Sequence, residues 1–127
     1  MVNLQGKSAL ILGGVGGLGK ATVKSFIEAG VNRIGVIDIL NDEKAKDVLS
    51  DLLESHANLR FVYRKCGVED ESTLRVAMTD IYRELSGFDL VVNSVGILNE
   101  QDHKSTIMVN LVRIKYFDTS NHFYFSH

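Results

Sequence analysis

The sequence predicts an α/β fold, a parallel sheet with helices on both faces, and three observations carry that prediction. Short apolar runs alternate with segments whose apolar residues recur at helical spacing: four runs, three such segments, and the start of a fourth. The first passage from run to helix is LILGGVGGLGKAT (residues 10–22), which puts five glycines into seven positions. Near the end of the second run stands an acid, Asp38, 19 residues after the last of those glycines.

Each element has its own warrant. Ser8–Leu12 (SALIL) is a continuous apolar run bounded by glycine, as a strand buried on both faces would be. From Leu18 to Ala29, apolar or small residues at Leu18, Ala21, Ser25, Phe26 and Ala29 make one helical face, and Gly30 supplies the C-terminal stop. Arg33–Leu40 (RIGVIDIL) reads as the second strand. Asn41, Asp42 and Glu43 start the next helix, acids facing the positive end of its dipole, and Ala45, Val48, Leu49, Leu52 and Leu53 share one side of it. Leu59–Lys65 (LRFVYRK) is the third strand. After the acidic run 69–71, Leu74, Ala77, Met78, Ile81 and Leu85 fall in helical phase. Leu90–Asn93 (LVVN) is the fourth strand, and helical character resumes at Ser105. The order βαβαβαβ, then α, is that of a doubly wound parallel sheet of Rossmann type, truncated after the fourth strand and the start of the following helix.

The glycine loop admits three readings. Gly14-x-Gly16-x-x-Gly19 is the dinucleotide spacing, and Gly13-x-x-x-Gly17-x-Gly19 is a close relative of it. In both, glycine lets the backbone turn tightly from strand to helix and approach a pyrophosphate, while a helix beginning near Gly17 aims its amides at the phosphates. A triphosphate loop fits as far as Gly14-x-x-x-x-Gly19-Lys20, but Ala21 stands where a magnesium-binding hydroxyl belongs. Thr22 lies about 100° further round the helix and does not replace it. The third reading is that the glycines serve only close packing of strand and helix. The flanking strand and helix together with Asp38 favour the dinucleotide. Asp38 is then either a surface acid flanking a helix or the acceptor for both adenine-ribose hydroxyls, each bond contributing about 1.5–3 kcal/mol. Its charge repels a 2′-phosphate and neither Gly16 nor Ile39 offers a cation, so NAD is favoured over NADP.

Bulk properties narrow the function classes. The 127 residues make one domain's worth of chain, 45% hydrophobic and 24% charged, an ordinary globular composition. With 14 Lys and Arg against 16 Asp and Glu, nothing marks a nucleic-acid or anionic-membrane partner. A single cysteine, Cys66, and no long apolar stretch make the cytoplasm the expected compartment. His56, His103, His122 and His127 lack metal-ligand spacing, so no metal is expected, and Tyr63 and Cys66 read as strand filler.

With LGGVGGLG, VID and LVVNSVGIL in this order, residues 5–112 resemble the short-chain dehydrogenase/reductase family. GVGGLG, and GIL after the asparagine, look most like its insect alcohol dehydrogenase and 15-hydroxyprostaglandin dehydrogenase branch. The resemblance implies a Rossmann sheet, NAD as cofactor, and reversible oxidation of a secondary alcohol to a ketone. Gly13, Gly17 and Gly19 match the glycine motif, although Leu12 replaces its common threonine; Gly14, Gly16 and Leu18 complete the implied pyrophosphate loop. Asp38 matches the ribose-binding acid. Gly67 replaces an aspartate that would accept from adenine, while the amide of Val68 is left to donate to it. NSVG matches the family's NNAG at Asn93 and Gly96, with Val95 bulkier than the alanine there. Asn110 in TIMVNL matches the active-site asparagine that props a helix and a proton-relay water. As plain structure, Asn93 is a strand-end residue and Asn110 a helix-surface amide.

The family's chemistry also needs a tyrosine with a lysine four residues later, and a serine. Tyr63, Tyr82 and Tyr116 are followed at that distance by Gly67, Ser86 and Ser120. A positioned proton donor contributes about 10²–10⁴ in rate, so the chain is expected to be the NAD-binding half of a dehydrogenase and not competent alone. The alternatives are a non-catalytic NAD-binding or partner-binding module and a truncated product without function; an alcohol or ketone substrate follows only if the enzyme is completed. The expected organisation is a partial NAD-binding domain over 1–112 and a divergent tail over 113–127. Lys115–His127 carries five of the ten aromatic residues and, as plain structure, reads as a terminal strand or partner patch. Codons for Val112 and Arg113 can spell an intron donor, so the tail is expected to come from unspliced or misassembled sequence, which transcript and genomic sequencing checks. Without a fifth strand, LVVN is expected to be an exposed apolar edge through which the chain associates with itself or others.

Overall fold

The computed structural model describes residues 3–13, 15–67, 71–93, 96–99, 104–107, 110–117 and 123–126, with the backbone alone at residues 18 and 71 and from 96 onward. Strand β1 (Ser8–Leu12) feeds helix α1 (Gly17–Glu28), which returns to β2 (Arg33–Asp38); α2 (Asp42–Glu54) leads to β3 (Arg60–Lys65), and α3 (Glu71–Glu84) to β4 (Leu90–Asn93). The strands lie in the order β3-β2-β1-β4. They pair in parallel throughout, as the alternation predicts.

All five residues of β1 are buried because helices cover both faces of the sheet. Pleating sends Ala9 and Ile11 to one face, where they meet Val23, Val36, Ala45, Leu49 and Tyr63 beneath α1 and α2. Leu10 and Leu12 point the other way, to Ile37, Ala77, Met78, Ile81 and Leu85 beneath α3. The expected faces of α2 and α3 are those observed. That of α1 is turned: Ala21 and Ser25 are exposed, while Gly19 and Val23 are buried and Phe26 and Ile27 half-buried. Burying branched aliphatic side chains removes more apolar area from water than burying Ala and Ser, and that difference sets the helix's rotation.

Gly30 ends α1 as predicted, at φ +106°, and a Cβ there would lie 2.8 Å from Gln5 Cα and 3.0 Å from Gln5 N. Both the left-handed conformation and the backbone of the neighbouring segment exclude a side chain. Gly30→Ala is expected to lower stability by about 1–3 kcal/mol from backbone strain alone. A fall in the urea midpoint with unchanged slope would show it.

Beyond Asn93 the structure corrects two expectations. Lys104–Ile107 is a strand, β6, paired antiparallel with β5 (Gly96–Asn99), rather than the start of a helix. β7 (Asn110–Phe117) lies antiparallel beside β4, opposing Leu90 with Arg113, Val91 with Val112 and Val92 with Leu111. The fourth strand is therefore not the exposed edge through which association was expected. Its N–H and C=O groups would otherwise lack partners along that edge, and the chain's own β-branched and aromatic segment supplies them. β8 (Phe123–Ser126) pairs antiparallel with β7, Tyr116 opposite Tyr124 and Phe117 opposite Phe123, so the described residues of the aromatic tail are strand, and residue 112 lies inside β7.

Candidate cofactor-binding site

The carboxyl ends of the parallel strands lie on one edge of the sheet, and the chain winds outward from β1 through α1 to β2 and through α2 to β3, then crosses back through α3 to β4 on the other side of β1. The crevice between β1 and β4 is the switch point at which such sheets bind ligands. The glycine loop stands over it. Gly13 takes φ +85°, which favours glycine, and its N–H donates to Ile37 O at 2.7 Å, keeping the chain beside the end of β2 as it leaves β1. Val15 is buried. Gly16 is the N-cap of α1, and its carbonyl accepts from Lys20 N–H at 2.7 Å.

Two of the three readings of the loop separate residue by residue. Gly19 is buried against the sheet, which is the packing role. At Gly16 and Gly17 a Cβ would meet no atom within 4 Å, so packing does not account for those glycines. No side chain caps α1, and no acid sits in its first turn. At α2, by contrast, Asn41 Oδ1 accepts from Lys44 N–H at 2.9 Å and Asp42 and Glu43 follow. The positive end of α1 thus meets no carboxylate of its own first turn, in the place where an anion would be stabilised. Lys20, the residue a triphosphate loop would turn toward phosphate, pairs with Asp51 of α2 at 3.1 Å instead. That hydrogen bond holds the Asp51 carboxyl below the usual range.

Asp38 reaches the loop from the end of β2. Its Oδ2 accepts from Val15 N–H at 3.2 Å, its Oδ1 from Ile39 N–H at 2.6 Å, and its main-chain carbonyl from Cys66 N–H at 2.8 Å. A carboxylate offers about four lone-pair sites, so two amides leave capacity for ribose hydroxyls. Ile39 beside it is 65% exposed.

Asn93 closes β4 next to Leu12, at the rim of the same crevice. Asn110 is brought to that rim as well, opposite Asn93, but as the first residue of strand β7 and not on a helix. Antiparallel pairing with β4 imposes the strand. Gly96 opens β5, and Leu18 lies in the first turn of α1. Gly14 and Val68 lie outside the described residues. Cys66 is core filler as expected, its thiol donating to Gly67 O at 3.2 Å. Tyr63 does more than fill. Its hydroxyl donates to Leu40 O at 2.6 Å, and burial, then the charges of Asp38 and Asp42, push the phenol's pKa up. The signal was in the sequence: a tyrosine in a buried strand must place its hydroxyl somewhere.

A family model described as short chain dehydrogenase matches residues 7–119, running past Val112 and taking in the first part of the tail expected to lie outside the family. Three relatives show the same likeness. A short chain dehydrogenase of Aspergillus terreus is 33% identical over 79% of this chain and 22% of its own length. Alcohol dehydrogenase 1 of Ceratitis cosyra is 24% identical over 87% of this chain and 42% of its own. The NAD(+) 15-hydroxyprostaglandin dehydrogenase of Rattus norvegicus is 27% identical over 89% and 42%. The chain thus spans less than half the length of the curated relatives it matches. Among solved structures, a Serratia marcescens short-chain dehydrogenase/reductase superposes with TM-score 0.66 at 26% identity, covering 75% of this chain and 38% of that one. A blue fluorescent protein from a metagenomic library, in complex with NADPH, superposes with TM-score 0.64 at 26% identity, covering 76% and 39%.

Proposed function

This chain belongs to the short-chain dehydrogenase family of NAD(P)-binding oxidoreductases, and from that premise we propose that it is the NAD-binding half of an enzyme acting on a secondary alcohol or its ketone. One observation supports the reading above the others. Side-chain-less backbone at Gly16 and Gly17 opens α1, while the carboxylate of Asp38 stands 3.2 Å from Val15 N. A phosphate-accepting helix end and a hydroxyl-accepting acid are thereby set side by side, as one dinucleotide requires.

In this reading the amides at Gly16, Gly17 and Leu18 hold the pyrophosphate, with Gly13, Gly14 and Gly19 shaping the turn and packing the helix. Asp38 accepts from the adenine ribose and favours NAD over NADP, since its charge opposes a 2′-phosphate and Ile39 supplies no cation. Val68 donates to the adenine, and Asn93 and Gly96 line the crevice rim. Bound there, the nicotinamide supplies hydride acceptance and return, chemistry that belongs to the cofactor. Asn110, opposite Asn93, is the residue assigned to hold a relay water. Tyr63, Tyr82 and Tyr116 have no lysine four residues on, so in this reading these 127 residues bind the nucleotide without turning over. No helix among the described residues is long and apolar enough to cross a membrane. The buried lone thiol of Cys66 fits the reducing cytosol.

Titrating NADH fluorescence with the full chain, beside a turnover assay on a secondary alcohol with NAD, tests the proposal. Saturable binding without turnover is the expected result. An unchanged NADH signal up to millimolar concentrations would remove the function proposed here.

A further inference from the structure

The short passage from β2 to α2 carries Asp38 and then leaves the sheet over Ile39 and Leu40 before Asn41 caps the next helix. Packing holds it on one side only, since Leu40 rests against the core while Ile39 is 65% exposed. Hydrogen bonds hold the rest. Cys66 N–H takes the Asp38 carbonyl at 2.8 Å, and Asp38 Oδ1 accepts from Ile39 N–H at 2.6 Å. Asn41 Oδ1 accepts from Lys44 N–H at 2.9 Å. The Leu40 carbonyl is taken by the Tyr63 hydroxyl at 2.6 Å. That last donor differs in kind: it is a side chain rooted in the core. Tyr63 is 5% exposed, sits on β3 opposite Val36, and belongs to the apolar layer with Val36, Ala45 and Leu49.

We propose that Tyr63 is a positioning residue for nucleotide recognition, fixing the Ile39–Leu40 passage so that the Asp38 carboxylate is held at the glycine loop in the geometry that selects an unphosphorylated ribose. The proposal rests on the cofactor reading above. A ring packed in a rigid layer is a fixed post, and its hydroxyl ties the passage to the sheet 23 residues away in sequence. Because burial raises the phenol's pKa, the hydroxyl remains a donor at all working pH values. Without it, the Cys66 and Val15 amides still hold Asp38, but the Leu40 carbonyl loses its tie to the core and the Asp38 carboxylate samples wider positions. A carboxylate that wanders grips the ribose hydroxyls less often and also repels a 2′-phosphate less sharply.

Tyr63→Phe keeps the ring and removes the one donor. In the full chain, hydrogen exchange at Ile39–Asn41 without nucleotide is expected to quicken, while protection of Ala9–Ile11 in β1 stays as in the parent and reports an intact core. NADH affinity is expected to fall about three- to tenfold, as the loss of one hydrogen bond implies. NADPH affinity falls less, so the NADH-to-NADPH affinity ratio drops. A merely structural tyrosine would weaken both nucleotides equally and leave that ratio unchanged, which overturns the proposal, as does unaltered exchange at Ile39–Asn41. If the parent chain binds no nucleotide, the cofactor reading fails by itself, and unquickened exchange in the variant then separately removes the tethering role of Tyr63.

Discussion

Asp38→Asn is expected to weaken NADH binding about a hundredfold while leaving NADPH binding unchanged or improved. In the function proposed above the carboxylate accepts from two ribose hydroxyls, each charge-assisted bond contributing about 1.5–3 kcal/mol. An asparagine keeps one acceptor but loses the charge, so a net loss near 3 kcal/mol, or two factors of ten, follows. For NADPH the same change removes a repulsion between carboxylate and phosphate, which offsets the lost bond. The amides of Val15 and Ile39 complicate the comparison, since both now donate to Asp38 and an asparagine carbonyl serves them less well. Any loosening of the loop from that cause weakens both nucleotides alike, so the ratio isolates the charge. Adding Ile39→Arg sharpens the test: the side chain at 39 is 65% exposed, so an arginine fits there and gives the 2′-phosphate a partner. Calorimetric titration of both nucleotides against the single and double variants reads the outcome. Equal losses for the two would mean that Asp38 only shapes the glycine loop.

What was legible in the sequence follows from how local each signal is. The bounds of β1 and β4 are those predicted, because a continuous apolar run stopped by glycine or asparagine needs no distant information. The faces of α2 and α3 were equally plain, each with large aliphatic residues in one phase. For α1 the phase was ambiguous, since small residues lie on several sides and only contact with the sheet distinguishes Val23 from Ala21. After Asn93 local signals mislead. Ile107, Leu111 and Val112 suit a helix, yet Arg113 and Lys115 alternate with Val112, Ile114 and Tyr116 at strand period. Pairing with β4 decides for the strand, a tertiary preference that propensity alone does not contain. The site divides in the same way. Gly16, Gly17 and Asp38 announced themselves by spacing. The bonds from Val15 to Asp38 and from Tyr63 to Leu40 each span 23 residues, and adjacent strands bring their ends together only once the sheet exists.

Gly35→Ala, at the middle of β2 and away from the glycine loop, is expected to cost about 1–3 kcal/mol of stability, the range for overpacking a filled core. Propensity argues the other way, since alanine in a strand interior is better than glycine by about 0.5–1 kcal/mol. Packing wins because a Cβ at Gly35 would overlap Ile81 Cγ2 and touch Leu10 Cδ1 and Leu85 Cδ1, each at 3.4 Å. Ile81 is fully buried on α3, and a β-branched side chain in a helix has one strongly preferred χ1, so it does not rotate aside. Accommodating the methyl means lifting α3 from the sheet, which loosens the layer formed by Leu10, Ile37, Met78 and Leu85. A double-mutant cycle tests this cause against a general loss of fold. Ile81→Ala alone removes the opposing Cγ2 and leaves a cavity, at about 2–5 kcal/mol. With Gly35→Ala added, the new methyl enters space just vacated, and the pair is expected to cost less than its sum by about 0.5–3 kcal/mol. Urea midpoints of the four proteins give the coupling. Strict additivity would mean that glycine at 35 answers to something other than the approach of α3.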